Sequence, residues 1–217
     1  MAYFYRDGEL RLGNPAASVR VADVAYKSQR PTYVYDLDDI EMRFRAYRDA
    51  FSGLKYTIHY AMKANSNPKI LSLLASLGAG ADTVSAGEIK LAVAAGFPAD
   101  RIIFSGVAKT ERELEYAIGL GIKQVNVESP AELKRIAKIS ARLGRTTDVA
   151  FRMNPDVDAK THPYITTGFR ENKFGMDDSF LDELVETLKT NASAVRLRGL
   201  TMHIGSLLFD LGALKQA

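Results

Sequence analysis

Lys63 is the residue of this chain best placed for covalent chemistry. It follows the run Ile58-His59-Tyr60-Ala61-Met62 and precedes Ala64-Asn65-Ser66-Asn67-Pro68. The run has the apolar, aromatic character of a buried strand, and Asn67 with Pro68 reads as an N-cap and a first helical position. A lysine at the C-terminal end of such a strand sits at the rim of a sheet, where α/β folds build their sites. Partial burial there disfavours an ammonium ion, and an amine so placed can act as a nucleophile or form a Schiff base. The plainer alternative is a lysine that reaches into solvent from a strand end, and position alone favours it.

Other rim positions follow from strand order. Arg152 lies near the end of a fifth regular strand and His203 at the end of a sixth. His203-Ile204-Gly205-Ser206 offers a flat imidazole, then a flexible backbone and a hydroxyl. Glycine permits close approach, and backbone amides with a serine hydroxyl can hold a phosphate. An ordinary turn after a rim histidine explains the same four residues. Asp82, after Gly80-Ala81, could orient a neighbouring base or cap a turn, and spacing favours the turn. Glu88 is explained as the acid of a capping box with Ser85. His59, four residues before Lys63, shares its face in an ideal strand. With 3 histidines and no HExxH-type spacing, no metal centre is indicated. A lysine, an arginine, a histidine and a phosphate-competent turn suit pyridoxal phosphate better than a metal.

The elements that must position these residues repeat one grammar: a β-rich segment, a capped helix, a glycine, then the next strand. The strands are expected at 56–62, 79–84, 101–105, 124–127, 148–153 and 197–203. Ser85/Glu88, Thr110/Glu113 and Ser129/Glu132 read as capping boxes, and Gly78, Gly96 and Gly144 as C-terminal caps. Ile70, Leu71, Leu74 and Leu77 share one helix face. Such alternation gives a parallel sheet covered by helices. An open doubly wound sheet and a (β/α)8 barrel both satisfy it. The absence of a GxGxxG or Walker A motif favours the barrel. Upstream, Met1 to Arg30 reads as irregular, Pro31 to Tyr35 as a short strand, and Asp36 or Asp38 as the cap of a helix ending near Gly53. The long connection from Asn154 to Gly175 carries Tyr164, Ile165, Phe169 and Phe174, and is too apolar for a linker.

The chain has 217 residues, a formal net charge of +3 and no cysteine. Scattered charges argue against a nucleic-acid partner. No apolar run reaches membrane-spanning length, and the first fourteen residues have no signal-peptide core. A cysteine-free chain is compatible with the cytoplasm.

Four segments carry a resemblance. Tyr60-Ala61-Met62-Lys63-Ala64-Asn65 resembles the cofactor-lysine motif of the fold-type III pyridoxal-phosphate decarboxylases, whose barrel is of the alanine racemase kind. Gly80 to Glu88 is similar to their next rim segment. Arg152-Met153-Asn154-Pro155-Asp156-Val157-Asp158 through Gly168, continued by Glu171-Asn172-Lys173-Phe174-Gly175, resembles the diaminopimelate decarboxylase branch, as does His203-Ile204-Gly205-Ser206. The likeness runs from about Pro31 to the end of the chain.

The resemblance implies decarboxylation of meso-2,6-diaminopimelate to L-lysine and carbon dioxide, the last step of lysine biosynthesis, by a cytoplasmic homodimer. Lys63 would carry the cofactor, His203 would stack on its ring, Gly205 and Ser206 would meet its phosphate, and Asp82 and Arg152 would support it. It also implies about six of eight barrel strands within 31–217, a segment 1–30 that packs on a C-terminal β-domain, and a chain shorter than the family's. Related ornithine, arginine or carboxynorspermidine decarboxylases remain as alternatives, as do a non-catalytic pyridoxal-phosphate barrel and an inert fragment.

Overall fold

The computed structural model describes residues 3–28, 30–157, 174–206 and 211–217. The N-terminal region is more regular than its polarity suggests. Tyr3–Arg6 (β1) and Glu9–Leu12 (β2) form an antiparallel hairpin, and Val19–Arg20 (β3) pairs with β2. The hairpin turns on Asp7 and Gly8, whose φ values are 54° and 75°. Two positive-φ residues match the right-handed twist of the flanking strands, which is why Asp-Gly favours such turns. Helix α1 (Val21–Ser28) follows. The expectation of an irregular segment up to Arg30 is thereby corrected. Pro31 to Tyr35 is not a strand: it has no pairing partner, and Tyr33 is 89% exposed. Asp36, rather than Asp38, caps α2 (Leu37–Ala50), accepting from the Asp38 and Asp39 amides.

The remainder alternates as the capping pattern requires. It runs β4 (His59–Ala61), α3 (Pro68–Ser76), β5 (Gly80–Thr83), α4 (Ala86–Ala94), β6 (Ile102–Phe104), α5 (Glu111–Leu120) and β7 (Gln124–Val127). It continues with α6 (Pro130–Arg142), β8 (Thr147–Arg152), α7 (Leu181–Thr190), β9 (Val195–Thr201) and a short α8 (Gly212–Gln216). All pairings within the six-stranded sheet are parallel, in the order β4-β5-β6-β7-β8-β9. Strand order therefore equals chain order, with no reversal. Strand β4 is three residues long, shorter than expected, and β9 ends at Thr201, two residues before His203.

Caps fix where each helix starts. The Asn67 side chain accepts from Lys69 N at 2.9 Å, with Pro68 in the first turn. Thr110 and Glu113 form a reciprocal capping box. Ser85 and Ser129 are N-caps too, but their acids reach one residue further back. Glu88 accepts from Val84 N and Glu132 from Glu128 N, both at 2.8 Å. Gly78, Gly96 and Gly144 have positive φ after their helices, as C-terminal caps require.

Alternation divides the sheet into two faces. Ala81, Ile102, Phe104, Val125, Val127, Val149 and Phe151 pack against Leu71, Ile89, Leu114, Leu133 and Ile136 of the helices in one buried cluster. Each large member contributes about 1.5–3 kcal/mol relative to exposure. Ala61, Asp82, Asn126 and Arg152 take the opposite parity and line the other face. Among the described residues, no helix is long and apolar enough to cross a membrane.

Candidate active site

A cavity of about 550 Å³ lies at the C-terminal ends of the strands, bordered by Lys63, Asp82, Arg152, His203 and Ser206. This volume is within the range of small-molecule and cofactor sites, about 300–1,000 Å³. Five of the six site residues read from the sequence thus converge on one space, although they span 144 positions of the chain. Gly205 does not line it. Its φ of 148° lies where side-chain-bearing residues are rare, and it turns the backbone so that Ser206 reaches the cavity.

Lys63 lies on a single 3-10 turn, Met62–Ala64, just beyond β4, and it is exposed, as its position alone favoured, not partly buried as the nucleophile reading required. Met62 turns into the core at 1% exposure, which rotates its neighbour outward. Tyr60 holds this turn from beneath: its hydroxyl donates to the Asn65 carbonyl at 3.1 Å. His59 does not join Lys63. It sits at the opposite end of β4 over Gly80, where a Cβ would collide with the imidazole and lie 2.6 Å from the Arg101 carbonyl.

Asp82 caps no turn; it accepts the Ser105 hydroxyl at 2.5 Å. Burial raises its pKa, and that hydrogen bond and the positive charges of Lys63 and Arg152 oppose the rise. The imidazole of His203 is pushed the other way. Burial lowers its pKa first, and Lys63 and Arg152 lower it further. Both effects favour the neutral form of this half-buried imidazole, which shares its cavity with a primary amine and a guanidinium, and Glu128 opposes them.

Arg152 is fixed from two sides. Its Nη1 donates to Glu128 Oε1 at 2.9 Å, with only 12% and 5% of the two side chains exposed. Its guanidinium also stacks 5.1 Å from the Phe174 ring centroid. The other Glu128 oxygen accepts from Gly175 N at 3.1 Å, and Met176 N donates to the Arg152 carbonyl. Asn154 N in turn donates to the Met176 carbonyl, so the two described ends of the Asn154–Gly175 connection are held together beside the end of β8. Gly175 has a φ of 79°, and a Cβ there would lie 3.2 Å from the Arg152 carbonyl. Residues 158–173, including Tyr164, Ile165 and Phe169, lie outside the described residues.

Sequence reasoning missed Glu128, Ser105 and Asn126. Glu128 stands directly after β7, and Asn126 interrupts the apolar pair Val125 and Val127 within it. A polar residue at the inward parity of a buried strand was the available signal. Glu132, read only as a capping acid, also pairs at 3.0 Å with Lys109, a lysine 3% exposed.

The donor set fits pyridoxal phosphate on the chemistry of its groups. It combines an accessible amine, a flat neutral ring, a cation, a carboxylate and a hydroxyl after a positive-φ glycine. A sequence profile described as the pyridoxal-dependent decarboxylase, pyridoxal binding domain, matches residues 37–217. The diaminopimelate decarboxylase of Pseudomonas aeruginosa is 43% identical over 211 residues, which is 96% of this chain and 49% of that protein. That of Helicobacter pylori strain J99 is 48% identical over 187 residues, 86% of this chain and 46% of the relative. A crystal structure of diaminopimelate decarboxylase from Helicobacter pylori complexed with L-lysine superposes with a TM-score of 0.83 at 46% identity. It matches 88% of this chain and 49% of its own. One from M. jannaschii in co-complex with L-lysine gives 0.86 at 35% identity, over 99% of this chain and 50% of its own. The chain spans about half the length of the curated relatives it matches. By the profile match and these identities, the chain belongs to the pyridoxal-dependent decarboxylases, as their pyridoxal-binding domain.

Proposed function

We propose that this chain holds pyridoxal phosphate through Lys63 and serves the decarboxylation of meso-2,6-diaminopimelate to L-lysine and carbon dioxide. The observation that carries the reading is the convergence of Lys63, Asp82, Arg152, His203 and Ser206 on one cavity. Its substrate assignment is supported by the Arg152 to Gly175 resemblance and by relatives bearing that name.

In this reading Lys63 supplies the attachment amine, and its exposure on a short turn leaves it free to engage and disengage. His203 offers an uncharged ring face against which an aromatic group can lie. Gly205 and Ser206 present a backbone amide and a hydroxyl to a phosphate. Arg152, immobilised by Glu128 and Phe174, adds positive charge near that anion. Asp82 balances the positive charge of Lys63 and Arg152. When bound, pyridoxal phosphate supplies an electron sink for the pair left behind as the carboxylate departs. The protein's part is to orient the breaking bond and to limit wasteful proton loss.

We further infer that the six parallel strands are consecutive staves of a (β/α)8 barrel. Their unreversed order supports this, with β4 and β9 at the two edges. Residues 1–30 would pack on a β-domain, and the whole protein would be a cytoplasmic homodimer. These assignments follow the family and form part of the proposal.

The test is to incubate the chain with pyridoxal phosphate, reduce with borohydride and map the adduct by peptide mass spectrometry. A stoichiometric adduct on Lys63, lost in Lys63→Ala, is expected. Labelling spread evenly over surface lysines would overturn the site. Release of carbon dioxide from meso-diaminopimelate, compared with ornithine and arginine, tests the substrate.

A further inference from the structure

A line of hydrogen bonds crosses the inner face of the sheet, and three of its members, Asp82, Ser105 and Asn126, line the cavity itself. Gln124 Nε2 donates to Asn126 Oδ1 at 2.7 Å. Asn126 Nδ2 donates to Ser105 Oγ at 2.8 Å, and Ser105 Oγ donates to Asp82 Oδ1 at 2.5 Å. The line joins β7 to the residue after β6 and then to β5. Its position is set by backbone pairing, because Ser105 N continues the ladder by donating to the Thr83 carbonyl at 2.8 Å.

The direction of this line is constrained. A serine hydroxyl has one proton to give. While it gives that proton to Asp82 it can accept from Asn126, and Asp82 needs none of its own. Reversing the line requires the Asn126 carbonyl to face Ser105. The hydroxyl proton then goes to Asn126, and Asp82 must be protonated to act as donor. Gln124 must turn its own carbonyl toward Asn126 as well, so the orientation of three neutral side chains is tied to the charge of one carboxyl group.

We propose that Ser105 and Asn126 are positioning residues that hold Asp82 as a carboxylate directed into the Lys63 cavity. The charged groups around Asp82 are Lys63 on the turn after β4, Arg152 on β8 and Glu128 after β7. His203, beyond β9, borders the same cavity. Lys63 and Arg152 favour the carboxylate and Glu128 opposes it. The hydrogen-bonded line adds what these charges do not: a fixed rotamer and a serine proton donated to one named oxygen, Oδ1. Its consequence at Lys63 rests on the cofactor reading above; the line itself does not.

The test uses the 217-residue chain with aspartate labelled at the carboxyl carbon. The Asp82 signal is assigned by its loss in Asp82→Asn and titrated by NMR without cofactor. Ser105→Ala should raise the proton affinity of Asp82 roughly tenfold, the effect of removing a hydrogen bond to a charged group. Ser105→Thr, which keeps the hydroxyl, should stay within about twofold. Asn126→Ala should raise the affinity in the wild-type background and do nothing further once Ser105 is alanine. An unmoved Asp82 in Ser105→Ala overturns the proposal. So does an Asn126→Ala effect of equal size in both backgrounds. Should Ser105→Ala fail to fold, Asn126→Ala alone decides, and an unchanged titration overturns the relay. Borohydride trapping at Lys63 is scored separately. No trapping in the wild type sinks the cofactor reading and leaves the relay standing, whereas normal trapping with an unmoved Asp82 sinks the relay alone.

Discussion

Replacing Lys109 with methionine should be among the most damaging single changes in this chain. The amine lies at 1% side-chain exposure and pairs with Glu132 at 7%. It donates to the Gly106 carbonyl at 2.5 Å, the Asn126 carbonyl at 2.8 Å and Glu132 Oε1 at 3.0 Å. Burial pushes its pKa down, and Glu132 pushes it back up. Methionine keeps the length of the stem but removes all three donors. The part-buried Gly106 carbonyl, the buried Asn126 carbonyl and one carboxylate oxygen then lose this donor, while Glu132 Oε2 keeps the Glu128 amide at 2.8 Å. Removing one member of a buried ion pair costs about 3–5 kcal/mol. At about 2–4 °C per kcal/mol for a chain of this size, Tm should fall by roughly 6–20 °C. Urea denaturation followed by circular dichroism reads the same loss as a lower midpoint at unchanged slope. Lys109→Met/Glu132→Gln should recover at least about 1 kcal/mol, because no uncompensated charge then remains buried. A loss below about 1 kcal/mol in the single variant, or a double variant no better than the single, would refute the reasoning.

Gly80→Ala should cost about 1–3 kcal/mol by overpacking, since the Arg101 carbonyl leaves only 2.6 Å for a Cβ. The companion His59→Ala clears the imidazole alone, so partial recovery in the double variant is the check. Asp82→Asn should stabilise the chain at neutral pH. The native carboxyl has its pKa raised, chiefly by burial. Between the unfolded value, about 3.9, and the native value, the folded state binds more protons and stability falls as pH rises. The advantage of the variant should therefore vanish as pH falls below that window, and a pH-independent difference in urea midpoints would contradict it. Tyr60→Phe removes the bond to the Asn65 carbonyl. It should cost about 0.5–1.5 kcal/mol and speed amide exchange in the Lys63 turn, with no change expected elsewhere in the sheet.

How much was legible in advance divides along physical lines. The helix starts at Asn67, Ser85, Thr110 and Ser129 were readable because a cap is a local bargain between a side chain and an amide two or three residues on. The Asp7-Gly8 hairpin was equally local and was overlooked because its strands are only four residues long. Pro31 to Tyr35 misled for the opposite reason: its residues favour extended backbone, but a strand exists only where a partner does.

The sequence by itself determined the alternation of strands and helices, their caps, the cofactor-lysine motif and the residue types a cofactor site needs. These depend on spacing within about four residues or on strand parity. Only the tertiary structure decided which polar residues share a space. Asp82 meets Ser105, and Arg152 meets Glu128, across gaps of 23 and 24 residues. Those partners are set by strand order and parallel register, which exist only once the sheet has formed. The exposure of Lys63 was decided in the same way. Whether a lysine one residue past Met62 faces core or cavity depends on which neighbour the core accepts, and the core took the methionine.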